Sequence, residues 1–292
     1  MATTATSGQV ALSRPSAPLW RRIERYLLPA FTTLALVYLL IPIVVMIVFS
    51  FNNPVGKFNY AWNEFSLQGW LHPFDWPGLG DSLITSLSVA VISTIVATIL
   101  GTLIGLALTR YRFRGRGALN GLIFLPMATP EIVLGASLLT LFVATALPPV
   151  AGNVPLLYPT GFETIVIAHI MFCISFVVVT VKARLAGFDR RLEEAAMDLG
   201  ANELTTFWKV TFPLILPGIV AAALLAFSLS IDDFVITNFV SGTTNTFPIW
   251  IYGVIRNALP VQINVIGSMI FLGAVGLVGF SSWRSGRAAR IR

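Results

Sequence analysis

Long apolar runs alternate with short polar segments between residues 27 and 283 of the chain. A helix needs about twenty predominantly apolar residues to cross roughly 30 Å of hydrocarbon. By that criterion the pattern predicts about six transmembrane helices, and therefore an all-α integral membrane protein. The predicted spans are residues 27–51, 82–109, 118–147, 162–181, 213–231 and 262–283.

Two of these runs carry further information. The third contains Pro126 and Pro130, and proline removes a backbone hydrogen bond and clashes with the preceding turn, so a kink is predicted there. The first run is longer than the roughly 7–15-residue apolar region of a signal peptide. It is therefore expected to be an uncleaved span that follows a tail over residues 1–26.

Composition and charge agree with a membrane protein. The chain has 292 residues, of which 11% are charged, whereas about a quarter of the residues of an ordinary soluble domain are charged. Of its 19 Lys and Arg residues, 17 fall in the two tails and in the loops after the second and fourth runs. Short cytoplasmic loops are enriched in basic residues, so both termini are predicted to be cytoplasmic. This placement indicates a lipid bilayer rather than nucleic acid as the partner, with a transmembrane domain over 27–283 and a second tail over 284–292.

The loop after the fourth run, residues 182–212, differs from the other basic segments because it holds five acids beside its five bases. Its pattern predicts a short helix, a turn at Gly200 and a second short helix that Asn202 can cap. The first helix gathers small and apolar side chains on one face, and so does the second. Two short amphipathic helices need a partner that covers them.

At this loop the chain resembles the permease subunits of bacterial ABC importers. The motif consists of Glu194-Ala195-Ala196, then Gly200, then Pro213, at the spacing that is usual in the family. Before the proline, Val210 and Phe212 stand where the family usually has Ile and Leu. The resemblance implies the type I importer permease fold in the bacterial cytoplasmic membrane. It also implies that these five residues form a coupling helix seated in a groove of a cytoplasmic ATPase.

The chain itself has no phosphate-binding loop for ATP. Its lysines are Lys57, Lys182 and Lys209, and none stands in Gly-x-x-x-x-Gly-Lys-Ser/Thr. The resemblance therefore implies that ATP and Mg are bound by two partner ATPase subunits, together with a second permease subunit and an extracytoplasmic substrate-binding protein. We expect no cofactor, no metal site and no catalytic residues on this chain, which is a transporter subunit and not an enzyme.

Further stretches resemble the permeases of polyamine importers for spermidine and putrescine. The most informative runs from Leu229 through Asp232 and Asp233 to Phe239-Val-Ser-Gly242. The other matching stretches are 62–67, 126–133, 168–180, 248–256 and the region of Asn264. The resemblance implies a polyamine as cargo; the alternatives are another organic cation, an amino acid, or an iron or sugar ligand.

The acids near the membrane are the candidates for a cargo pathway. A polyamine is a polycation, and carboxylates along a narrow path would offset its loss of water. Ionisable groups in membrane spans are costly and indicate function, which selects Glu131, Asp232 and Asp233. Two structural alternatives stay open: the Asp pair can simply end the fifth helix in solvent, and Glu131 can satisfy backbone groups freed by the prolines. Glu163 and His169 are expected to be structural, as a helix-terminal charge and a hydrogen-bonded histidine inside the bundle.

Two other protein classes remain as alternatives. A proton-driven secondary transporter would also have several spans with buried acids, but it would not need the Glu194-Ala195-Ala196 loop. An intramembrane enzyme would need a nucleophile and a base at catalytic spacing, which the sequence does not contain.

Overall fold

The computed structural model describes residues 19–145 and 160–290, with side chains described for 26–144 and 160–276. Most of the first predicted tail, 1–26, lies outside the described residues, as do residues 291–292 and the predicted end of the third run at residue 147, whereas the backbone of 284–290 belongs to the last helix. The described backbone is helical, and its single isolated β-bridge joins Asn52 and Phe65. The helices are α1 Leu19–Phe49, α2 Gln68–Leu71, α3 Leu79–Arg110, α4 Arg116–Ala128, α5 Glu131–Thr145, α6 Phe162–Ala186, α7 Arg191–Asp198, α8 Glu203–Thr206, α9 Phe212–Ile231, α10 Val235–Val240, α11 Phe247–Val254 and α12 Val261–Arg290, with a π-helical turn, Phe207–Thr211, before α9.

Four helical segments are long and apolar enough to cross a bilayer. They are Tyr26–Phe49, Leu79–Arg110, Phe162–Ala186 and Glu203–Ile231, and they coincide with the first, second, fourth and fifth predicted runs. The sixth predicted run falls in α12, whose described apolar part, Val261–Gly276, is shorter than a full span. The prediction of an all-α membrane protein is confirmed.

The third predicted run is broken. Helices α4 and α5 are long and apolar enough for a membrane span only when they are taken together. They are bent by 107° at the break between them. Thr129, which precedes Pro130, has φ −79° and ψ 131°, because the proline ring excludes its neighbour from the helical region. Pro126, by contrast, lies within α4. The predicted kink therefore becomes a sharp corner at Pro130.

The chain divides into two compact units. The first comprises residues up to 73 and from 260 onward. In it α1 and α12 approach closely, because Gly267 leaves room for the Met46 side chain: a Cβ on Gly267 would lie 2.7 Å from its Sδ. The loop after α1 is held by buried Asn52, whose Nδ2 donates to Asn59 Oδ1 at 2.6 Å and to the Ala61 carbonyl at 2.8 Å.

The second unit, residues 74–259, is built around α3, α6 and α9. Small residues let α3 and α6 lie close together, as is common between helices in membranes. A Cβ on Gly101 would lie 2.6 Å from Cγ1 of Val177, and a Cβ on Gly105 would lie 3.3 Å from Cγ1 of Val181. Fully buried Ala222 and Ala226 belong to the same core on the α9 side.

This close approach predicts a difference between two glycines of α3. Gly101→Ala should destabilise the protein by about 1–3 kcal/mol, because the new methyl group clashes with Val177 in a packed core. Gly80→Ala is the matched control, since nothing lies within 4 Å of a Cβ at that position. Thermal unfolding of both purified variants in detergent checks this. Equal melting temperatures would contradict the close packing of α3 on α6.

Candidate functional site

The loop predicted to be cytoplasmic forms two short helices joined by a tight turn. Gly200 ends the first at φ 89°, a left-handed conformation that favours glycine, and the space around a Cβ there is open. The backbone conformation, and not crowding, therefore requires glycine at this position. Asn202 Oδ1 accepts a hydrogen bond from the Thr205 N–H at 2.8 Å. The predicted turn and cap are both confirmed.

The motif residues of this loop lie at the surface of the chain. Glu194, Ala195 and Gly200 are exposed, Ala196 is half-buried, and Pro213 is exposed in the first turn of α9. Apolar side chains beside them are uncovered as well: Leu199 is 90% exposed and Leu204 is 69% exposed. Exposed apolar side chains grouped in this way are typical of a surface that binds another protein. We call the exposed residues of α7, α8 and the turn between them the loop surface.

Glu193, directly before the motif, has a different environment. Its carboxylate accepts hydrogen bonds from the Arg110 guanidinium and from the Thr211 hydroxyl. Arg110 ends α3 and Thr211 directly precedes α9, so one carboxylate ties α7 to the ends of two long helices. Arg190 adds a further link, because its Nη2 donates to the Thr109 carbonyl at 3.3 Å. We call Arg110, Glu193 and Thr211 the clamp.

Sequence reasoning missed the clamp. It selected Glu194, and nothing in a pair of adjacent glutamates shows which one turns inward. The helical spacing places Glu193 and Glu194 about 100° apart around α7, so only one of them can face Arg110. From the sequence, Arg110 is one of the basic residues whose distribution predicts the orientation of the chain.

The adjacent aspartates Asp232 and Asp233 also differ from each other. They lie between α9 and α10, outside the long apolar helices. Asp232 is exposed, whereas the side chain of Asp233 is only 5% exposed. Asp233 Oδ2 accepts hydrogen bonds from the Thr237 N–H at 2.8 Å and the Thr237 hydroxyl at 2.7 Å, and it lies 3.3 Å from His169 Nε2. Asp233 therefore does not end α9 in solvent.

Their environments shift the pKa of the two carboxyl groups in opposite directions. Partial burial raises the pKa of Asp232, and the charge of neighbouring Asp233 adds to this effect. Burial also acts to raise the pKa of Asp233, but the hydrogen bond and charge of His169, with the two donors of Thr237, outweigh it and lower the pKa. Asp233 is consequently held as a carboxylate by groups of its own chain.

His169 lies at the centre of a buried polar cluster that joins four helices. Its Nδ1 lies 2.7 Å from the Ser230 hydroxyl of α9, and its Nε2 lies 2.8 Å from the Thr237 hydroxyl of α10. Ser230 in turn lies 3.0 Å from the hydroxyl of Ser93 in α3. The expected satisfied histidine in the bundle is therefore present. Its partners are not predictable from the sequence, because serine and threonine in an apolar run usually bond to their own helix.

Glu131 is exposed at the first residue of α5, directly after the corner at Pro130. A carboxylate at a helix N-terminus interacts favourably with the helix dipole. Glu163 has the corresponding place in the first turn of α6, as expected. In the part of the chain that the structure describes, no group of three His, Cys, Asp or Glu side chains is arranged to hold a metal ion.

Comparison with known proteins agrees with the motif analysis. Residues 97–282 match the family described as binding-protein-dependent transport system inner membrane component. The chain is 35% identical over 257 residues to the spermidine/putrescine transport system permease protein PotC of Haemophilus influenzae, covering 88% of this chain and 95% of that protein. It is 37% identical over 252 residues to the putrescine transport system permease protein PotI of Escherichia coli strain K12, covering 86% and 87%. The predicted resemblance to polyamine permeases is confirmed.

Solved structures show the same fold at low sequence identity. One is a bacterial ABC transporter involved in the import of the acidic polysaccharide alginate, with a TM-score of 0.61 and 16% identity over 94% of this chain and 99% of that chain. Another is a bacterial alginate ABC transporter in complex with an alginate pentasaccharide-bound periplasmic protein, with a TM-score of 0.60 and 18% identity over 90% and 94%. The predicted importer permease fold is confirmed.

The clamp predicts a contrast between two adjacent glutamates. Glu193→Gln should increase amide hydrogen exchange across residues 191–198 by about tenfold, because hydrogen bonds to a charged group are weakened. Glu194→Gln should leave that exchange unchanged, since Glu194 is exposed. Hydrogen exchange of the purified full chain, read by mass spectrometry, checks both. Equal exchange in the two variants would show that Glu193 does not hold α7.

Proposed function

Because this chain belongs to the binding-protein-dependent transport system inner membrane component family, and is thus a multi-pass permease subunit, we propose that it forms part of an ATP-driven polyamine importer. The observation that carries this proposal is the 35–37% identity to spermidine/putrescine and putrescine permeases over most of the chain. The proposed location is the bacterial cytoplasmic membrane with both termini cytoplasmic, supported by the distribution of basic residues.

In this proposal ATP is hydrolysed on two partner ATPase subunits, which also bind Mg, and the loop surface is their docking site. Its motif residues Glu194, Ala195, Ala196 and Gly200, with Pro213 beyond it, are the proposed coupling residues. Exposed Leu199 and Leu204 support a partner there, because such apolar side chains are stabilised when another protein covers them.

The clamp supplies a route for movement from the loop surface into the membrane. A load applied to α7 is passed through Glu193 to the end of α3 and the start of α9. Charge-assisted hydrogen bonds are suited to this because they fix direction as well as distance. Closure of the ATPase subunits would thus move two spans together, and the helices would alternate between inward-facing and outward-facing arrangements.

For the cargo pathway, exposed Glu131 and Asp232 are the proposed contacts. Each is a carboxylate that this chain leaves exposed at a helix terminus, Glu131 at the first residue of α5 and Asp232 directly after α9, where a polycation could exchange water for negative charge. A second permease subunit would complete the pathway, and an extracytoplasmic binding protein would deliver the polyamine. The alginate transporter solved with its periplasmic protein supports this kind of partner.

Uptake by membrane vesicles tests the proposal directly. Vesicles carrying this chain with its partner subunits and binding protein should accumulate labelled spermidine or putrescine only when ATP is supplied, with a sugar and an amino acid as controls. ATP-dependent accumulation of another solute would reject the polyamine cargo. Accumulation that needs no ATP would reject the importer class and favour a secondary transporter.

The coupling role predicts a specific loss of function. Glu194→Lys should abolish ATP-dependent uptake and co-elution with the ATPase, because it reverses a charge on the loop surface, while the subunit stays in the membrane. Glu163→Lys makes the same charge change at an exposed residue of α6 and should keep the ATPase bound. Co-purification in detergent, with the amount of membrane-inserted subunit as reference, checks both. Normal ATPase binding by Glu194→Lys would contradict the coupling role.

A further inference from the structure

The proposed cargo pathway, which uses Glu131 and Asp232, does not use the charge of Asp233. The side chain turns into the bundle, and its Oδ2 is shared by the Thr237 N–H, the Thr237 hydroxyl and His169 Nε2. To reach a cargo cation, the carboxylate would have to leave these partners behind. Breaking these buried, charge-assisted hydrogen bonds would leave the groups that make them with neither a partner nor water, which is strongly unfavourable.

The partners of Asp233 hold α10 against α6. At the start of α10, Asp233 bonds to Thr237, which also contacts His169 of α6. At its end, the Thr164 hydroxyl of α6 donates to the Val240 carbonyl at 2.7 Å. A helix of six residues has too few internal hydrogen bonds to be stable alone. Its position therefore depends on these two attachments and on its buried apolar side chains.

Helix α5 lies in turn on α10. The Phe239 ring of α10 packs against Gly135 so closely that a Cβ on this glycine would lie 2.7 Å from Phe239 Cδ2. Contacts of α5 with α10 are also far more extensive than its contacts with α6. Glu131 lies one helical turn before Gly135. The position of Glu131 therefore follows that of α10.

We propose that Asp233 is a positioning residue that, together with His169 and Thr237, fixes α10 and through it the Glu131 end of α5. The cargo-facing acids of this chain are then Glu131 and Asp232, and Asp233 does not bind the polyamine. The part of this inference that concerns cargo rests on the proposed function. The part that concerns the position of Glu131 does not.

Thr237 provides the sharpest test, because its side chain is fully buried and cannot touch cargo. Thr237→Val keeps the shape but removes the hydroxyl shared by Asp233 and His169, whereas Thr237→Ser keeps the hydroxyl. Each is combined with Glu131→Cys, and the purified full chain in detergent is treated with a polar maleimide. The native cysteine, Cys173, is buried and reports whether the bundle stays closed.

We expect Thr237→Val to change the labelling rate at position 131 by about threefold or more relative to the parent, and Thr237→Ser to leave it unchanged. Labelling of Lys57→Cys, an exposed site in the other unit, should be the same in every background. Equal rates at position 131 in the two Thr237 variants would overturn the proposal. Labelling of Cys173 in Thr237→Val would overturn it as well, because the cluster would then hold the whole bundle and not α10 in particular.

Uptake kinetics test the assignment of the two aspartates. Asp233→Asn and Thr237→Val should lower kcat/KM for spermidine by similar factors, and the double variant should be no worse than either single variant, because both act on one cluster. Asp232→Asn should lower kcat/KM independently, so its effect should multiply with that of Thr237→Val. A loss in Asp233→Asn with normal uptake by Thr237→Val would instead make Asp233 a cargo contact. If the unmodified complex takes up no polyamine, the proposed function fails, while the labelling experiment still decides the positioning role.

Discussion

Polar groups that are buried away from water need partners within the protein, and the rest of this structure depends on that constraint. The backbone satisfies it by forming helices, and at the Pro130 corner the chain changes direction by ending one helix and starting another. Among the buried side chains, Ser93, His169, Ser230, Thr237 and Asp233 satisfy it as one cluster, in which each member bonds to another. The same cluster joins the helices that carry it, so the need for partners also sets how α10 lies against the bundle.

Adjacent acids occur at two places in the chain, and both pairs divide their roles in the same way. Glu193 and Asp233 turn inward and bind groups of this chain, whereas Glu194 and Asp232 are exposed. Glu193 ties down α7, the helix that presents Glu194, whereas Asp233 is proposed to fix α10 and, through it, the Glu131 end of α5. A permease needs this combination, because a residue that contacts a partner or a cargo is effective only if the helix beneath it does not yield under load.

Transporters involved in alginate import share the fold with this chain at 16–18% identity, and a shared fold does not by itself specify what is carried. Relatives named for spermidine and putrescine transport share 35–37% of residues over nearly the whole chain. For the proposed function, the assignment of single acids, such as Asp232 and Asp233, therefore matters more than the architecture does.

The sequence by itself determined the helical membrane class, four of the spans, the corner in the third run, the turn at Gly200 and the cap at Asn202. These features depend on local hydrophobicity and local backbone preference, which a short stretch of chain contains in full. Only the tertiary structure decided that Glu193 binds Arg110 and Thr211, and that Asp233 binds Thr237 and His169. The clamp and the His169 contact join residues 18 to 83 positions apart, and which of two neighbouring acids faces inward depends on how each helix is rotated against the others. That rotation is a property of packing, which the order of residues alone does not reveal.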